Sequence, residues 1–125
     1  MLSKKLLWID CLGALAAGAA MLVFSSWLSG LYGFSRQFVV GLAAVNLAYG
    51  SFSLSLAARR RRPPALIALL ALANLAWGLV CFAAAIHLSD AATPFGLAHL
   101  VLEGLYVGGL GALEWKWRRQ LVSAD

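Results

Sequence analysis

His99 and Glu103 stand four residues apart within an apolar stretch from Thr93 to Trp115. On a helix that spacing puts both side chains on one face. An imidazole beside a carboxyl group is suited to taking up and releasing a proton near neutral pH. A charge at the centre of a bilayer costs ~2.5–3.5 kcal/mol on insertion scales, so an ionisable pair at that depth marks a functional site by default. Such groups must face the protein interior or a wet cavity and find partners there. Glu103 is the expected titrating centre.

Further polar residues could extend the pair. At a rise of ~1.5 Å per residue, His99 lies ~9 Å from the outer boundary, Asn46 ~12 Å, Glu103 ~15 Å and Asn74 ~21 Å, with Asp10 ~6 Å from the inner one. These five are expected to form a staggered polar track through one bundle. Asn46 and Asn74 also suit interhelical hydrogen bonds, worth ~0.6 kcal/mol on average. Asp10 is near enough to the interface to reach headgroups or Lys4 and Lys5. An echo runs through the chain: Asn46-x-x-Tyr49, Asn74-x-x-Trp77 and Glu103-x-x-Tyr106 each place a large aromatic three residues after a polar one. Tyr49, Trp77 and Tyr106 are expected to wall the site, which would suit an apolar or cationic ligand.

Two other chemistries fit poorly. His99 and Glu103 could chelate with His87, but zinc wants three or four ligands and no HExxH occurs. No metal and no cofactor is expected. Ser51, Ser53 and Ser55 could be nucleophiles, yet no GxSxG or matched acid–histidine pattern accompanies them, so the chain is not expected to be an enzyme.

Holding these groups takes helices in a bilayer. The chain has 125 residues, 62% hydrophobic and 12% charged, with a mean hydropathy of +0.84. A soluble domain carries about 25% charged residues, and a chain this short cannot hide so much apolar surface from water. Four spans can be drawn, at about Leu6 to Leu28, Phe38 to Ala58, Pro64 to Leu88 and Thr93 to Trp115. Each is long enough to cross the hydrocarbon core. Short connections make sequential helices antiparallel neighbours, so the expected fold is one all-α transmembrane domain over residues 1–125, an antiparallel four-helix bundle. Lys4 and Lys5 could open a signal peptide, but Asp10 interrupts the apolar core and the run continues to Leu28, so no cleavage is expected. Cys11 and Cys81 fall in different helices and are expected to stay unpaired.

The net charge of +5 does not point to nucleic acid. All Lys and Arg except Arg36 fall on one side of the spans, which places both termini in the cytoplasm, most naturally at a bacterial cytoplasmic membrane. Arg59, Arg60, Arg61 and Arg62 are expected to touch anionic lipid headgroups. Trp8, Trp115 and Trp117 fit an inner aromatic belt, and Trp27 and Tyr32 an outer one. Gly104, Gly108 and Ala112, with Gly111 beside them, form a small-residue stripe ~145° from the His99–Glu103 face. That stripe could meet another copy of the chain in a homo-oligomer, or pack on the first span.

In size and four-span layout the chain resembles the small multidrug-resistance transporters, which also use a membrane-embedded acid. Their acid sits in the first span and this one in the fourth, so no residue role is carried across. The expected function is binding or conduction of a small solute or proton at a site centred on Glu103 and His99. The alternative is a non-transporting accessory or lipid-binding protein that packs on a larger complex.

Overall fold

The computed structural model describes residues 2–123, and the side chains from residue 5 onward; the side chain of Lys4 falls outside that range. Six helices follow in order: α1 (Leu2–Val23), α2 (Ser25–Tyr32), α3 (Arg36–Ala57), α4 (Pro64–His87), α5 (Pro94–Lys116) and α6 (Arg118–Leu121). Among the described residues there is no strand, only an isolated bridge between Arg61 and Ser123. Four stretches are long and apolar enough to cross a membrane: Lys5–Val23, Arg36–Ala57, Pro64–His87 and Pro94–Lys116. Large apolar side chains such as Leu79, Ile86 and Leu102 point outward from them. The chain is a small multi-pass membrane protein.

The first span is divided where the sequence suggested one helix to Leu28. Phe24 leaves helical geometry at φ −101°, ψ 21°. Two serines follow, and serine competes for backbone partners that a helix needs. Ser25 is buried and accepts a hydrogen bond from Arg36 Nε at 3.4 Å, so the break ties α2 to the start of α3. The chain expected to be a loop from Ser29 is therefore helical as far as Tyr32. Gly33 ends α2 at φ 74°, a left-handed geometry that favours glycine. Ser35 caps α3 through the Phe38 amide at 3.1 Å, and Pro64 opens α4.

Packing divides the long helices into two close pairs, α1 with α3 and α4 with α5. Lipid supplies little hydrophobic drive between helices, so close approach through small residues must do it. Along α4–α5, a Cβ on Gly78 would lie 3.1 Å from the Gly104 carbonyl oxygen, and one on Gly111 2.7 Å from that of Ala71. The stripe suggested as a contact with another copy is thus taken up inside the chain, and by α4 rather than the first span. Gly104 and Gly111 are buried there, Gly108 is half-buried and only Ala112 is exposed.

Two apolar clusters close the ends. Leu6, Leu7, Leu56, Ile67, Leu70 and Leu121 pack at one end, and Leu28, Phe34, Val39, Leu42 and Leu100 at the other. The first end carries a clasp. Arg62 is buried, and its guanidinium donates to the carbonyls of Leu56 at 2.7 Å, Ala57 at 3.1 Å and Leu121 at 2.9 Å. Burial lowers its pKa from the usual arginine value. At the end of α3 the guanidinium joins the Arg59 amide on the Leu56 carbonyl and takes that of Ala57, while matching the helix dipole. Arg62 is therefore not a headgroup contact; Arg59, Arg60 and Arg61 are exposed.

The glycine contact makes a contrast to measure. Gly111→Val drives a branched side chain into the α4 backbone and should lower stability by about 1–3 kcal/mol. Gly109→Ala meets nothing within 4 Å and should leave stability nearly unchanged. Unfolding midpoints in mixed detergent and denaturant check both.

Candidate functional site

The placement of His99 begins at the α5 N-terminus. Thr93 Oγ1 accepts the Gly96 amide at 3.2 Å and donates to the Leu31 carbonyl at 2.6 Å. The Thr93 amide donates to the Tyr32 carbonyl at 2.9 Å. Gly96 has no Cβ, which lets that carbonyl of Tyr32 approach. One N-cap residue thus locks the end of α2 onto the start of α5. Tyr32 is brought over His99, with the ring centroids 5.0 Å apart and the hydroxyl 3.0 Å from Nδ1. Tyr32 is therefore turned inward rather than standing in an outer aromatic belt. Burial first, and the Glu103 charge second, raise its phenol pKa above the usual value.

His99 Nε2 lies 3.0 Å from Glu103 Oε1. With the proton on Nε2, the ring donates to the carboxylate and accepts the Tyr32 hydroxyl at Nδ1. Three more donors meet Glu103. Asn46 Nδ2 reaches Oε1 at 3.3 Å, Trp77 Nε1 reaches Oε2 at 2.7 Å and Cys81 Sγ reaches Oε2 at 3.6 Å. They come from α3 and α4, so two neighbouring helices converge on one carboxyl group of α5. Its side chain is 8% exposed and that of His99 18%. A buried carboxylate is tolerable when its oxygens are filled in this way.

The pair opens onto a groove between α1 and α5 of about 440 Å³. Gly13 and Ala17 of α1 form one wall, and Phe95, Leu102 and Tyr106 of α5 the other. Tyr32, His99, Asn46 and Glu103 supply its polar lining. The volume falls in the range of small-molecule sites, which are mostly apolar with a few polar groups.

The other expected site residues are distributed differently. Tyr106 lines the groove, and its hydroxyl donates across it to the Ile9 carbonyl at 3.0 Å. Tyr49 lies away from the groove and donates to the Ala73 carbonyl at 3.1 Å. Asn74 and Asp10 do not join Glu103. Asn74 Nδ2 reaches Asp10 Oδ2 at 2.9 Å and Glu114 Oε1 at 2.7 Å, and Ser53 Oγ donates to Asp10 Oδ1 at 3.0 Å. Asp10 is buried and turned inward, away from headgroups. In place of one continuous track there are two polar centres.

Sequence reasoning missed Glu114, because it stands beside the inner aromatic belt. The signal was its spacing: eleven positions from Glu103 leaves it only about 20° away around the helix. Ser53 carries the same signal, seven positions from Asn46 on α3.

The echo has a structural meaning. Tyr49 of α3 donates to α4, Trp77 of α4 to α5, and Tyr106 of α5 to α1. Each aromatic straps its helix to a neighbour. The polar residues of the echo play no matched role: Asn46 serves Glu103, whereas Asn74 serves the other centre.

Cys11 and Cys81 are free and buried. Among the described residues, no three His, Cys, Asp or Glu side chains are grouped to hold a metal ion. In comparison with known proteins, the chain matches no protein family, no curated protein and no solved structure.

Trp77→Phe keeps the ring and deletes the 2.7 Å bond to Glu103. Hydrogen bonds to charged groups contribute about 1.5–3 kcal/mol, so this variant should unfold earlier by that amount. Tryptophan emission during thermal unfolding in detergent measures it. A stability equal to the parent's would show that Glu103 does not depend on this donor.

Proposed function

We propose that the chain binds a small apolar or cationic solute in the α1–α5 groove, and that the His99–Glu103 pair exchanges a proton as the solute comes and goes. The observation that carries this reading is that the hydrogen-bonded His99–Glu103 pair lines a groove of ligand size. The groove supplies aromatic edges for an apolar body or a cation, through Tyr32, Phe95 and Tyr106. Glu103 supplies a charge whose balance depends on the proton count of His99. A group of this kind couples solute occupancy to pH by linkage, since a bound cation and a bound proton compete for one carboxylate.

The arrangement that serves this function is an antiparallel four-helix bundle with both termini in the cytoplasm. The positive charges support that orientation, with a bacterial cytoplasmic membrane as the setting. Arg59, Arg60 and Arg61 meet anionic headgroups on the inner face. The groove lies between α1 and α5 of one chain, and the protein could act alone or as a homo-oligomer. The protein acts as a binding or transport protein and not as an enzyme.

Reconstitution into liposomes tests the reading with two probes, a lipophilic aromatic cation such as tetraphenylphosphonium and a pH-sensitive dye. The parent protein should bind the cation more weakly as pH falls, because protons then occupy the pair. Glu103→Gln should abolish pH-dependent binding and flux while the helical content stays unchanged. Tyr49→Phe, outside the groove, should behave like the parent. Equal activity in the Glu103→Gln protein would overturn the proposal and favour an accessory role, which co-purification with a larger complex would support.

A further inference from the structure

The second polar centre carries chemistry that the groove does not use. Asp10 of α1 and Glu114 of α5 meet across Asn74 of α4, whose single nitrogen Nδ2 reaches both carboxyl groups at 2.9 and 2.7 Å. Asp10 is 2% exposed and Glu114 0%. Ser53 of α3 completes the ring by donating to the far oxygen of Asp10. Glu114 keeps one oxygen, Oε2, without a partner. Among the described residues it is the only buried side-chain oxygen or nitrogen so placed. Both carboxyl groups are bonded to that one nitrogen of Asn74, so they are close neighbours, and a direct bond between them would fill Oε2. Two carboxylates cannot make that bond, because each only accepts. One proton between them can.

Among the described residues, no cation is bonded to either carboxyl group. Cys11 follows Asp10 in α1, and Tyr106 of α5 donates to the carbonyl of Ile9 beside it; neither side chain can carry a positive charge. Asn74 and Ser53 are neutral donors. The nearby cations are engaged elsewhere. Arg118 lies over the Trp115 ring and donates to the Trp115 carbonyl, Lys116 lies over Trp117, and Arg62 is spent on carbonyls. Like charges side by side in a water-poor interior do not both ionise.

We infer that Asp10 and Glu114 form a proton-sharing carboxyl pair, a proton-binding site distinct from the His99–Glu103 groove. The proton sits between Asp10 and Glu114 Oε2, and Asn74 and Ser53 donate to the oxygens that remain. Loading takes one proton from hydronium, breaking one O–H bond there and forming one on the carboxyl pair, with water released; unloading reverses it. The site does not depend on the groove binding a solute.

Infrared difference spectroscopy of the full chain in lipid nanodiscs tests this, because a protonated carboxyl group absorbs apart from a carboxylate and shifts in D₂O. The parent should show a protonated-carboxyl band at neutral pH. Glu114→Gln should remove it, Asp10→Asn should shift it, and Glu103→Gln should leave it unchanged. Circular dichroism establishes that each variant is folded, and the parent spectrum alone still decides the matter if a variant is not. Absence of the band in the parent overturns the inference. So does a band that neither Glu114→Gln nor Asp10→Asn alters, or one that Glu103→Gln removes.

Discussion

A charged or polar group inside an apolar bundle must find its partner in the protein, and in this chain that requirement organises the helices. Glu103 is the clearest case. Its two oxygens take donors from α3, α4 and α5, and no single helix could supply them. The carboxyl group therefore fixes more than its own surroundings. For Asn46 and Trp77 to reach it together, α3 and α4 must stand at one rotation and one height relative to α5. A mismatch of one turn would leave a buried carboxylate without donors, at a cost of several kcal/mol.

Packing and polar bonding divide the labour. Small residues let α4 approach α5, and α1 approach α3, over their whole lengths. Between the two pairs, the links are specific bonds: Asn46 to Glu103, Tyr49 to Ala73, Asn74 to Asp10 and Tyr106 to Ile9. At about 0.6 kcal/mol for an average interhelical bond in a membrane, four such links do not account for the assembly. Their weight lies in register. A wrong register makes no new bonds and strands buried donors and acceptors, each worth about 1–3 kcal/mol. Van der Waals contact makes the pairs, and polar bonding selects how one pair meets the other.

Much of this was legible in the residues. Length and apolar composition were enough to mark four stretches able to cross a bilayer, because a span must satisfy its own backbone and shed its charges. The i, i+4 spacing of His99 and Glu103 was enough to place them on one face, and Thr93-Pro94 to start their helix. What the sequence could not supply was rotation about each helix axis. Depth counted along the chain suggested that Asn74 and Asp10 continue the Glu103 track. A helix also has an azimuth, and Asn74 turns toward Glu114 instead. The small-residue stripe failed for a related reason. Glycine spacing says that a backbone can come close, and says nothing about which one. The break at Phe24 depends on a distant residue, Arg36, which gives Ser25 a partner outside its own helix.

The two polar centres are built on opposite electrostatic principles, and this separates their roles. Around Glu103 the partners are donors, one of them a histidine able to carry positive charge, and the groove admits outside molecules to the pair. Charge there can change when the surroundings change. Around Glu114 the neighbour across Asn74 is another acid, and both carboxyl groups are buried. A carboxyl pair so enclosed holds its charge constant by keeping a proton. It also joins α1, α3, α4 and α5 through Asp10, Ser53, Asn74 and Glu114, next to the groove wall formed by Gly13 and Tyr106. An exchangeable centre needs a rigid frame, or a change in its charge would be absorbed by sliding helices. The closed centre provides that frame: it ties four helices together next to the α1–α5 groove and leaves the groove free to respond.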